Sequence, residues 1–152
     1  MEKKSQDIKS LNFVKLSQKA QIPQKATSGA AGMDLYACID EDIEIQPSNL
    51  VKIPCGIAVE IPDGYGAFLF ARSGLAVKYG ITLSNGVGVV DSDYRGEICV
   101  GLCNVGSQAY TIKNGDRIAQ LVILKTENFV PVEVNKLNET QRGTGGFGST
   151  GK

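Results

Sequence analysis

The sequence predicts an all-β fold, a β-barrel or jelly-roll-like sandwich with one short helix and a flexible C-terminal arm. Three observations carry that expectation. Ten or more short apolar or alternating runs recur along the chain, clusters of Gly, Pro, Asn and Asp separate them, and helical hydrophobic periodicity is nearly missing. No internal repeat or second domain is visible. The 152 residues divide into a loose arm over 1–10, one all-β domain carrying the chemistry over 11–137, and a flexible glycine-rich segment over 138–152 that serves as a lid.

Taken in order, the opening MEKKSQDIKS has too few apolar groups to pack. Residues 12–16 are the first strand. Residues 21–32, rich in Ala, Gly, Ser and Thr around Pro23, read as a loop that ends at Met33, Asp34, Leu35 and Tyr36. Extended pieces follow at 43–45, 50–54 and 57–61, with Pro47-Ser48-Asn49 and Pro62-Asp63-Gly64 as the turns between them. Residues 65–71 are apolar enough for a central strand, which delivers Arg72 and Ser73 at its end. Residues 75–79 are the one helix, with Ser73 as a possible N-cap and Gly80 as its stop. Strands return at 81–83, 87–90, 97–104, 109–112, 117–125 and 129–134, and Asn114-Gly115 is the strongest hairpin signal among them.

Composition narrows the chemistry. Sixteen Lys and Arg balance sixteen Asp and Glu, so no net positive field would hold a DNA or RNA polymer. Histidine is absent, which removes imidazole acid-base work and most zinc sites; a general base must then be a carboxylate, or less readily a Lys or Tyr. Cys38, Cys55, Cys99 and Cys103 form no CxxC pair and read as reduced, packed thiols. No window approaches 18 apolar residues, so membrane insertion is not indicated and a soluble, intracellular, cytoplasmic protein is expected, with the nucleus open to it in a eukaryotic or viral setting.

Two stretches concentrate reactive groups. VGVVDSDYRGE at 87–97 runs from β-type valines into Asp91, Asp93, Tyr94 and Arg95 before a second alternating run, and reads as a hairpin with those four residues at its tip. On composition alone a solvated turn is the first explanation of such a tip. An EF-hand does not explain it, because Arg95 occupies a ligand position and Leu102 stands where a bidentate Glu is required. The second stretch, RGTGGFGSTG at 142–151, spells G-x-G-x-x-G and nearly a P-loop, but lacks the following helix that either motif needs. Its glycine amides, hydroxyls and arginine can nevertheless wrap phosphate oxygens. Phe147, set among glycines, needs a partner surface: the body of the domain, or a flat ligand such as a nucleobase.

Five segments in order now carry a resemblance: AGMDLYA at 31–37, ARSGLA at 71–76, NGVGVVDSDYRGE at 85–97, GDRIAQL at 115–121 and RGTGGFGSTG at 142–151. Together they closely resemble the trimeric deoxyuridine triphosphatase (dUTPase) family. The resemblance implies a homotrimer whose sites are shared between subunits, and magnesium-dependent hydrolysis of dUTP to dUMP and pyrophosphate, with Mg2+ held by triphosphate and water rather than by protein ligands. It implies that Asp91 is the base, and that Asn85, Gly88 and Val90 read uracil while Tyr94 packs against the sugar. Arg72, Ser73, Gly74 and Gln120 would hold the phosphates. Asp34 would be a supporting carboxylate behind the metal or base. Arg142, Gly146, Gly148, Ser149 and Thr150 would clamp the phosphate tail, with Phe147 closing over the base. Structural alternatives stand beside several roles: Ser73 could cap the helix, Gln120 could satisfy a strand edge, and Asp34 could cap a turn. Ala71 departs from the proline that members commonly carry before the arginine, which frees φ and restores an N–H. Two other functions compete, a dCTP deaminase of the same fold and a non-catalytic nucleotide sensor.

Overall fold

The computed structural model describes residues 10–146. Among them, eleven strands and one helix alternate as β1 (Asn12–Lys15), β2 (Met33–Tyr36), β3 (Ile43–Ile45), β4 (Leu50–Pro54), β5 (Ile57–Glu60), β6 (Tyr65–Phe70), α1 (Ser73–Tyr79), β7 (Ile81–Leu83), β8 (Gly88–Val90), β9 (Cys99–Asn104), β10 (Tyr110–Ile112) and β11 (Arg117–Lys125). All pairings are antiparallel, in sheets ordered β2-β11-β6-β8, β4-β9-β7, β1-β5 and β10-β3. The sheets do not close into one barrel, so the jelly-roll-like half of the expectation is the form observed.

Alternation in the sequence decides which faces are buried. In β9, Val100, Leu102 and Asn104 point inward while Cys99, Gly101 and Cys103 are half-buried on the other face. Val100 and Leu102 join Leu35, Ile45, Ile53, Ile57, Ile81, Ile112, Ile118 and Leu121 in one core. The four cysteines are free thiols. Gly80 ends α1 at φ 69°, and its amide bonds the Ala76 carbonyl, the left-handed stop that the sequence indicates. A side chain there would run into the Gly106 backbone.

Four local expectations fail, each for a physical reason. The 87–97 stretch is not the tip of a hairpin: β8 pairs with β6 while β9 pairs with β4 and β7, so 91–98 crosses between sheets. Asn114-Gly115 is a turn, with Gly115 at φ 84°, yet β10 and β11 likewise belong to different sheets. Local turn chemistry specifies a reversal and is silent about which strands then pair. Ser73 is the first helical residue rather than the N-cap; Arg72 takes that position with extended backbone, and no side chain caps the helix. Residues 129–134 form no strand. Pro131 cannot donate to a ladder, and Phe129, Val130 and Val132 are 84%, 81% and 76% exposed, so this apolar run finds no partner among the described residues. The arm expected over 1–10 lies, apart from Ser10, outside the described residues.

Asn104 knots the loops at one end of the fold. It is fully buried; its amide donates to the Ile45 carbonyl at 2.8 Å and the Gln108 carbonyl at 2.7 Å, and its oxygen accepts from the Gly106 amide at 2.9 Å. Asn104→Ala strands three partners and should destabilise the fold by about 3 kcal/mol, read as a lower urea midpoint at fixed protein concentration.

Candidate active site

Two groups of polar side chains stand apart in the chain. The first gathers on Asp34, the one buried acid among the described residues, at 5% exposure. Asp34 faces Gln120 across the β2–β11 pair, and Gln120 faces Phe70 across β11–β6, so this row ends beside the segment that carries Arg72. One Asp34 oxygen, Oδ1, accepts from Arg72 Nε at 3.2 Å, and the other, Oδ2, pairs with Arg117 Nη1 at 3.4 Å. Arg72 Nη1 also donates to the Arg117 carbonyl at 3.2 Å. The carboxylate thus fixes two cations rather than capping a turn. Ser73 and Gly74, both exposed, follow Arg72 at the start of α1, and Gln120 is exposed on the same face as Asp34.

The second group surrounds the cross-over loop. Asp91 is exposed at the rim of a cleft of about 320 Å³, lined also by Lys52, Val89, Val90, Tyr94, Glu97, Ile98 and Cys99. Tyr94 is held by its hydroxyl, which donates to the Glu97 carbonyl at 3.0 Å, and by its amide, which bonds the Asp91 carbonyl at 3.2 Å. A side chain at Gly96 would strike the Tyr94 hydroxyl, so glycine is required for this ring position. Arg95 ties the loop to itself by donating to the Ser92 and Tyr94 carbonyls at 2.6 and 3.0 Å. Asn85 sits in the exposed turn before β8, and Gly88 is buried where a Cβ would come within 3.0 Å of Leu69.

The two groups do not meet. β6 runs from Tyr65 to Phe70, and β8 lies antiparallel to it with Val90 opposite Ala67, so Asp91 and Arg72 leave opposite ends of the pair. Five to six residues of strand separate them, roughly 15–20 Å. Arg72 is moreover drawn toward β2, on the other side of β6 from β8. Arg142 is exposed and donates to the Gly145 carbonyl at 2.8 Å, and Gly146 is exposed beside it. Phe147, Gly148, Ser149 and Thr150 lie outside the described residues.

Sequence reasoning missed Arg117, although it stands in the quoted GDRIAQL, and it missed Lys52, Glu97 and Cys99 at the Asp91 cleft. The signal for Arg117 was a cation at the head of a largely apolar strand. For Lys52 no local signal existed, because β4 brings it from far along the chain, whereas Glu97 closes the quoted 87–97 stretch. Glu97 also accepts the Gly56 amide at 2.8 Å, which anchors the end of the loop.

The dUTPase family model matches residues 18–151, and the chain belongs to the dUTPase family. It is 53% identical over 146 residues to the deoxyuridine 5'-triphosphate nucleotidohydrolase of Desulfitobacterium hafniense strain DCB-2, covering 91% of this chain and 93% of that one. Its fold superposes on the dUTPase of Staphylococcus bacteriophage 80alpha with dUPNHPP at a TM-score of 0.87, with 26% identity over 95% of this chain and all of that one. A mutant dUTPase from phage phi11 of S. aureus shares the fold at 24% identity and a TM-score of 0.77, over 84% of this chain and 98% of that one. That structure concerns the coordination of a structural Mg(II) ion.

Behind the cleft, burial pushes the Cys55 thiol far above the ordinary thiol range, and the neighbouring Cys99, Glu97 and Cys38 act in the same direction. The folded state therefore keeps this proton while the unfolded chain releases it from about pH 9 upward, so stability falls as pH rises through that range. Urea stability measured from pH 8 to 10 should decline more steeply in the wild type than in Cys55→Ala, by up to about 1.4 kcal/mol per pH unit.

Proposed function

We propose that the chain hydrolyses dUTP to dUMP and pyrophosphate, with Asp91 as the base that takes a proton from water attacking the α-phosphorus in line. The observation that carries this reading is the position of Asp91, exposed at the rim of a cleft within a chain of the dUTPase family. Asn85, Gly88 and Val90 read uracil along the backbone of 85–94. The Tyr94 ring, fixed by its bond to Glu97, packs against C2′ and leaves no room for a ribose hydroxyl. Arg72, Ser73, Gly74 and Gln120 hold the phosphate chain, and Asp34 supports Arg72 from behind. Arg142, Gly146, Gly148, Ser149 and Thr150 close on the terminal phosphate, and Phe147 covers the base. Residues 138–152 thereby act as a lid on a catalytic domain of 11–137. The product supplies thymidylate synthesis, and removing dUTP limits uracil in DNA.

Two features support a homotrimer with shared sites. Asp91 and Arg72 leave opposite ends of the β6–β8 pair, so one chain's base is better placed for a phosphate held by another chain. The exposed run containing Phe129, Val130, Val132 and Leu137 is apolar surface suited to burial on a neighbour. Magnesium fits this donor set as a substrate-borne ion. Among the described residues no three of His, Cys, Asp or Glu come together as a cage, and Mg2+ readily keeps phosphate oxygens and water as ligands. When bound it supplies charge neutralisation on the triphosphate. No helix among the described residues is long and apolar enough to cross a membrane; a cytoplasmic setting is part of the proposal.

Asp91→Asn should retain dUTP binding and lose turnover by about 10² to 10⁴, because only proton removal is withdrawn. The function itself is tested by pyrophosphate release from dUTP, dTTP, dCTP and UTP, with and without Mg2+. Release from dUTP that depends on Mg2+ is the expected result; ammonia release from dCTP in its place would identify a deaminase.

A further inference from the structure

Arg117 has no role in the reading above, yet the strand is distorted to present it. Regular alternation along β11 would put Arg117 on the side of Ala119 and Leu121, both fully buried in the core. The register against β2 instead shifts between Arg117 and Ala119, and the consecutive residues Ile118 and Ala119 are both buried. The extra residue turns Arg117 onto the face of Gln120 and its cross-strand partner Asp34. A bulge that keeps a guanidinium out of the core and lays it against a buried carboxylate calls for a purpose.

The geometry at Asp34 indicates one. The carboxylate receives Arg72 on Oδ1 and Arg117 on Oδ2, so it cannot rotate about its own axis without breaking one of the pairs. Arg72 is held twice, by Asp34 through Nε and by the Arg117 carbonyl through Nη1, and its side chain is 24% exposed. A guanidinium carries five N–H donors. Those not used in these two bonds remain for an anion, in an orientation set by Arg117 on both counts.

We propose that Arg117 is a positioning residue: acting through Asp34, it holds the Arg72 guanidinium in the orientation that meets the triphosphate. This rests on Arg72 being a phosphate ligand. Bidentate contact with phosphate depends on the angle of the guanidinium plane, which a swinging Arg72 would lose even with its charge intact.

Steady-state kinetics on Arg117→Gln, Arg117→Lys, Arg72→Ala and the Arg72→Ala/Arg117→Gln double variant test it, with inhibition by deoxyuridine as a probe of the base and sugar subsite. Arg117→Gln should raise KM for dUTP about tenfold, the weight of one charge-assisted hydrogen bond. Inhibition by deoxyuridine should not change, and Arg117→Lys should recover part of the loss. In the Arg72→Ala background, adding Arg117→Gln should raise KM no further. Multiplying penalties in the double variant would make Arg117 a direct ligand and overturn the proposal. So would weaker inhibition by deoxyuridine or a lower melting temperature accompanying the loss of dUTP affinity, the mark of a purely structural residue. A wild-type KM in Arg117→Gln beside a raised KM in Arg72→Ala refutes the proposal alone. A wild-type KM in Arg72→Ala removes the phosphate reading as well.

Discussion

The antiparallel pairing of β6 with β8 is the constraint on which the rest depends. Because β8 runs back along β6 from Leu69 to Ala67, the loop that follows it emerges at the end of the sheet where β6 begins. Asp91 therefore leaves at one end while Arg72, two residues past Phe70, leaves at the other. Backbone hydrogen bonds and the burial of Ala67, Leu69 and Gly88 hold this register. A shift of one residue would turn every side chain of β8 to the wrong face, so the separation is built into the sheet. Asp34 then draws Arg72 still further away, toward β2.

Two other properties of the chain make sense beside that separation. The exposed segment after β11 spends apolar side chains on solvent, a cost that burial on a neighbouring copy would recover at about 25 cal/mol per Å². The arginine pair around Asp34 leaves a net positive charge at the edge of the sheet, one carboxylate against two guanidinium groups, which favours an anionic ligand arriving from outside. In this account the fold of one protomer prepares two half-sites, an acidic one at the end of β8 and a cationic one past the end of β6.

Much of the scaffold was legible locally. Strands β4, β7 and β11 fall where the alternation places them, and Gly80 stops the helix because only glycine accepts its left-handed backbone without strain. Pairing was not legible, since 87–97 and Asn114-Gly115 have hairpin chemistry but join strands of different sheets. The candidate base, the arginine and their neighbours were recognisable as motifs. That Asp34 organises two arginines was not, because Arg117 reaches it through a bulge, and sequence periodicity, which assumes a regular strand, hides a bulge. The run at 129–134 looked like a strand for the right reason, its apolar side chains. What a single sequence cannot supply is the surface that would pair with it.

The most direct test of a site divided between protomers is complementation. Asp91→Asn chains, which lose turnover, and Arg72→Ala chains, whose raised KM leaves little activity at low dUTP, are unfolded together, refolded as a one-to-one mixture and assayed for hydrolysis of dUTP at that low concentration. Random assembly leaves both residues intact in about a quarter of the shared sites, so the mixture should recover roughly that fraction of wild-type activity. A mixture no more active than its two components would mean that Asp91 and Arg72 serve one site from the same chain, and the account built on the β6–β8 register would be wrong.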